Sequence, residues 1–120
     1  MYIYSFEKLE VWKEAKELSK IIYIITKSFP DDEKFGLTSQ LKRASISICS
    51  NIAEGSARKT NKDKAHFTTI AFSSAVEVLN QIIISHELNL INSEEYETLR
   101  QKIESITNKL NALRNYQINK

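Results

Sequence analysis

A chain of 120 residues lies within the usual span of one domain, long enough to bury a core and too short for two. One proline and two glycines, Gly36 and Gly55, exclude the punctuation that a sandwich or barrel of short strands needs, so long helices remain. The net charge of +2 and the single cysteine, Cys49, exclude a strong overall field and an intrachain disulfide, and fit a reducing, cytoplasmic compartment.

The opening MYIYSFEKLEVWKEAK has no basic stretch leading into an apolar run and a cleavage site, so export is not expected. The most apolar runs, Ile21 to Ile25 and Ile82 to Ile84, fall far short of the roughly 20 residues of a membrane span. In the first segment Leu9, Trp12, Ala15, Leu18, Ile22, Ile25 and Phe29 recur by three or four. This predicts an amphipathic helix over about 6–28, capped by Ser5 and stopped by Pro30. Leu37, Leu41, Ala44, Ile48 and Ile52 predict a second helix over about 37–58. Thr60 followed by Asp63 makes a capping box for a third, over about 61–88, the most apolar of the four. Asn89 suits the left-handed cap that ends it. Asn92 with Glu95 opens a fourth over about 93–116, whose Tyr96, Leu99, Ile103, Ile106, Leu110 and Leu113 form the cleanest heptad seam.

Short connections between helices of about 33 Å predict one all-α domain over residues 1–120, an up-down-up-down antiparallel four-helix bundle. Apolar residues off the main stripes, among them Val11, Ile21, Ile24, Ile46, Cys49, Ile70 and Ile84, exceed what one small core needs and point to a homo-oligomer.

Little in the sequence points to catalysis. His66 and His86 fall about 30 Å apart on one helix, too far to share a metal. The Glu-x-x-His pairs of di-iron bundles are missing, as are phosphate-binding and nucleophile-elbow motifs. The expectation is a non-enzymatic chain with no cofactor or metal. A polar row of Ser47, Asn51, Glu54 and Arg58 follows the second helix. It is read first as a hydrogen-bond network reaching Ser74 and Glu77, and second as ligand contacts, with Gly55 permitting close helix approach.

The succession FEKLEVWKEAKELSKIIYIIT, FPDDEKFGLTSQLKRASISICSNIAEGSAR and AFSSAVEVLNQI resembles the four helix bundle proteins also called 23S ribosomal RNA intervening-sequence proteins. Its most specific parts are Leu9, Val11 and Trp12, the block Phe35 to Ala44 with Gln40 and Arg43, and NIAEG at Asn51 to Gly55, with Glu77 in the third helix. The resemblance implies a bacterial bundle assembling into a homo-oligomeric ring, a pentamer, with no known catalytic activity. A related branch, the accessory variability determinant proteins of diversity-generating retroelements, implies work with a reverse transcriptase and nucleic acid. Asn89 departs from the glycine expected at its place.

Charge placed on the predicted topology is polarised. Arg58, Lys59, Lys62, Lys64, Lys109 and Arg114 gather towards the end that holds the chain's start, the second connection and the chain's end. Asp31, Asp32, Glu33, Glu87, Glu94, Glu95 and Glu97 gather at the other. The fourth helix's share complements its dipole, but Lys62 and Lys64 stand where a helix dipole disfavours cations. Two functions stay open. One is an accessory protein binding RNA or DNA through phosphates at the basic pole, without an aromatic surface platform. The other is a structural or protein-interaction module that binds no nucleic acid.

Overall fold

The computed structural model describes residues 1–119. Four α-helices, α1 (Glu10–Ile25), α2 (Leu37–Ser56), α3 (Asn61–Glu87) and α4 (Ser93–Asn119), account for most of it, and no strand occurs among the described residues. The first helix is shorter than its periodicity suggests. Residues Ser5–Lys8 and Thr26–Ser28 form 3-10 turns on either side, and the α-helical N-cap is Leu9 rather than Ser5. The cause at the start is local: the Glu7 carboxylate reaches back to accept from the Tyr4 backbone N–H at 2.8 Å, closing a separate tight turn. The starts of the other helices follow their sequence signals, whereas α2 ends at Ser56 rather than about 58 and α4 runs to Asn119 rather than about 116. The Asp63 N–H donates to Thr60 Oγ1 at 3.1 Å. The Asn92 and Glu95 side chains each accept from the other's backbone N–H, at 2.8 and 2.9 Å. Asn89 takes the left-handed conformation with φ 62°, an uncommon state for a residue other than glycine.

Each helix packs on the next in chain order, and α4 closes back on α1. Arg43 lies by Glu77, Ser47 by Ser74, and Gly55 by Phe67, so residue numbers rise along α2 as they fall along α3. The overall extents of 45 × 31 × 22 Å suit α3, whose 27 residues make about 40 Å of helix.

The core is a stack in which each helix contributes in turn: Ala15, Leu18 and Ile22; Leu41, Ala44, Ile48 and Ile52; Ala71, Ala75, Val78 and Ile82; Leu99, Ile103, Ile106 and Leu110. Val11 belongs to it too, at 6% exposure, and so leaves the surplus of outward apolar residues. On α3 the inward stripe is mostly small, with Ala65, Thr68, Ala71, Ser74, Ala75 and Ser85 all buried. Val78 and Ile82 are the large apolar side chains buried with it, while Val76 and Ile84 remain exposed. Small residues let helix axes approach closely, which is why the most apolar helix turns its small residues inward. By length and composition α3 passes for a membrane span, yet it is packed between α2 and α4.

Candidate nucleic-acid interface

The α2–α3 connection is a tight turn built for proximity. Gly55 is buried in the last turn of α2. A Cβ there would stand 2.9 Å from Phe67 Cβ, a distance that only glycine allows, and in ordinary contact with the Lys64 carbonyl oxygen at 3.6 Å. The close approach lets the Arg58 guanidinium settle over the Phe67 ring, 4.5 Å from its centre, a cation–π contact that fixes the side chain without neutralising it. Thr60 then caps α3 and throws Lys62 outward, while Lys64 is half-buried.

At this end the chain's start, the α2–α3 turn and the end of α4 converge around a cavity of about 220 Å³ whose lining includes Ser5, Gly55, Asn61, Lys64, Tyr116 and Gln117. Beneath it the Thr68 hydroxyl donates to Gln117 Oε1 at 2.8 Å, a buried bond joining α3 to α4. Around the corner Lys62 and Arg114 line a second hollow, and Arg114 Nε donates to Thr69 Oγ1 at 2.7 Å. Arg58, Lys59, Lys62, Lys64 and Arg114 make no ion pair among the described residues.

Lys109, grouped with them on sequence, lies elsewhere. Its ammonium is bonded to the Glu14 carboxylate of α1, which also accepts from the Ser105 hydroxyl at 2.5 Å. Burial pushes the Glu14 carboxyl up, but the bonds from Lys109 and Ser105 and the nearby positive charge outweigh it and hold the group below its ordinary value. Lys109 therefore belongs to an α1–α4 clasp and its charge is met locally. The surface also carries aromatic rings that the sequence reading omits. Tyr4 and Tyr116 are both about 60% exposed; Tyr116 lines the cavity with Lys64, while the Tyr4 ring packs against Tyr2 and Phe6.

The polar row of α2 splits in two. Ser47 Oγ and Ser74 Oγ are 2.9 Å apart, and Asn51 Nδ2 donates to Ser47 O at 2.8 Å and to Ser47 Oγ at 3.1 Å. Further along, Arg43 faces Glu77 at 3.7 Å and Gln81 Nε2 donates to Glu77 Oε2 at 3.3 Å, leaving the buried Gln81 Oε1 without a partner among the described residues. Glu54 is exposed and joins neither group, and Gln40 is exposed as well. Trp12 is half-buried against the core with Phe6 edge-on at 5.1 Å. Cys49 lies 3.8 Å from Ser19 Oγ, and burial pushes its thiol up against the opposing effect of that contact. His86 stacks flat on Tyr96 with ring centres 4.2 Å apart, far along α3 from His66.

Sequence reasoning missed Gln117. Its signal was there, because Gln117 continues the spacing of Leu110 and Leu113 and a polar side chain in an apolar seam requires a buried partner.

The family model described as 23S rRNA-intervening sequence protein matches residues 7–112, which takes in all of α1 to α3 and most of α4. The chain belongs to this family. A crystal structure of a protein with unknown function from the S23 ribosomal protein family of Bacteroides thetaiotaomicron shares the fold at a TM-score of 0.79. It is 21% identical, over 87% of this chain and 97% of that one. No curated protein matches the chain.

Proposed function

We propose that this intervening-sequence protein is a non-enzymatic, RNA-binding accessory protein of the cytoplasm. In this reading it is an up-down-up-down bundle assembled into a homo-oligomeric ring whose basic ends form one rim. The observation that carries the reading is the cluster of Arg58, Lys59, Lys62, Lys64 and Arg114, five cations at one end without a carboxylate partner among the described residues. Paired cations are unavailable to phosphate, whereas unpaired ones can each displace a counterion from a nucleic-acid backbone. The rising and falling residue pairs of α2 and α3 support the up-down order, and a ring would set these ends side by side and sum their fields.

The test is fluorescence anisotropy with a labelled single-stranded RNA across a salt series. If all five cations meet phosphate, log K falls against log salt with a slope of roughly −3.5 per protomer, from about −0.7 per contact on single strands. Reversing Arg58, Lys59, Lys62 and Lys64 to Glu abolishes binding while helix content and mass are kept. Failure of the parent protein to bind at about 50 mM salt, where phosphate contacts are strong, refutes the proposal.

A further inference from the structure

The α1–α2 connection and the α1–α2 face carry opposite halves of a contact. On the face, Trp12, Tyr23, Ile24, Ile46 and Cys49 line an open groove of about 510 Å³. Ile24 is 65% exposed, and Tyr23 and Ile46 are exposed beside it. Such a contiguous apolar strip on a small chain marks an interaction site. Lys16 and Lys42 flank it, lying over the Trp12 and Tyr23 rings at 4.8 and 4.9 Å, and neither meets a carboxylate among the described residues.

In the connection, Phe35 is 89% exposed, with the Lys34 ammonium over its ring at 5.7 Å. Asp31 and Asp32 precede it, exposed and without an ion pair among the described residues. One aromatic plug with two carboxylates thus complements one aromatic-lined groove with two ammonium groups, none of the four in an ion pair among the described residues. The plug cannot serve its own groove. Phe29 anchors the start of the connection in the core. Gly36 N–H donates to Glu33 O at 3.0 Å, and Leu37 N–H donates to the Glu33 carboxylate at 3.2 Å. These bonds pin Phe35 outward.

We infer that the occupant of the groove is the Phe35 turn of a second copy of this chain. The inference rests on the homo-oligomer reading above and names its interface: Phe35 inserts between Tyr23, Ile24 and Ile46 of the neighbour, and Asp31 and Asp32 meet its Lys16 and Lys42. Plug and groove are different patches, so every copy offers one of each and the contact repeats until the assembly closes. Charges at the rim of such a contact set its register and its salt dependence.

Sedimentation velocity on the full chain at micromolar concentration tests this. The parent protein sediments as a multiple of 13.8 kDa. Phe35→Ala and Ile24→Glu each reduce it to the monomer, with helix content kept because both side chains are exposed. Mixed together, the two variants form a two-chain species and nothing larger, since Phe35→Ala retains a groove and Ile24→Glu retains a plug. A monomeric parent overturns the oligomer reading together with this interface. An assembled parent whose mass neither variant changes, or variants that become monomers yet do not pair on mixing, overturns the plug-and-groove contact alone.

Discussion

Gly55→Ala is the substitution that most directly tests how the basic turn is held. In an ordinary helix the change stabilises, because alanine loses less backbone entropy than glycine, by up to about 1 kcal/mol. Here the added Cβ meets Phe67 Cβ at 2.9 Å, a contact with an atom fixed to the backbone of α3, so it is relieved only by separating α2 from α3. Overpacking of this kind costs about 1–3 kcal/mol, and Gly55 lies one residue from the end of α2 at Ser56, where the propensity gain is smaller. The expected net effect is a loss of about 1–2 kcal/mol, from the overpacking cost less the propensity gain. Urea denaturation followed by circular dichroism measures it, with the parent and the variant compared at equal slope. The loss must persist in a Phe67→Ala background, because alanine keeps the Cβ that causes the clash. A Gly55→Ala protein as stable as the parent, or a loss that vanishes once Phe67 is trimmed, refutes the close-approach argument. In the intact protein the same shift displaces the ring beneath Arg58, so RNA affinity falls with stability.

Two further predictions separate residues that the sequence grouped together. Asn51→Ala removes the side chain that bridges to Ser47 and costs about 1 kcal/mol, whereas Glu54→Ala, at an exposed and unpaired position, changes stability by less than about 0.5 kcal/mol; equal losses in urea denaturation contradict the divided row. For Glu14 the folded carboxyl is held below its ordinary value of 4.5, so its stabilising effect is complete above that pH and is lost as pH falls through the lower folded value. Measured against pH, the stability gap between the parent and Glu14→Gln is under about 1 kcal/mol, since Lys109 is half exposed, and it closes in acid; a gap that widens as pH falls is incompatible with the clasp.

Much of the fold was legible because its signals are local. Thr60 with Asp63, Asn92 with Glu95, and Asn89 act within a few residues of themselves, and the structure uses each as its spacing suggests. The start of α1 was not legible, since Ser5 is a good cap in isolation while Glu7 draws the chain into a different turn. The facing of α3 was also hidden. Periodicity weights large apolar residues, whereas the helix buries Ala71, Ser74 and Ala75 and leaves Val76 exposed, because the distance between axes, which no window of sequence encodes, decides which side chains fit.

The same distinction sorts the candidate site. Arg58, Lys59, Lys62 and Lys64 could be placed together from sequence because seven residues hold all four. Lys109 could not be judged that way, for its neighbour Glu14 lies 95 residues away in the chain. A cation's availability to phosphate depends on the carboxylates of other helices, so counting charge along one helix overstates the basic pole wherever two helices face each other. The turn escapes this error because it lies beyond the last carboxylate of α2, Glu54, which points to solvent and pairs with none of its cations. Arg58, Lys59 and Lys62 face solvent there, and neither Glu54 nor Asp63 forms an ion pair with them. Binding strength should then follow the number of unpaired cations rather than the net charge, and Lys109→Ala should leave the salt slope of RNA binding unchanged while Lys62→Ala lowers its magnitude by about 0.7. Anisotropy across the same salt series decides between them: an equal fall in slope for both variants would show that pairing with Glu14 does not withdraw Lys109 from the interface.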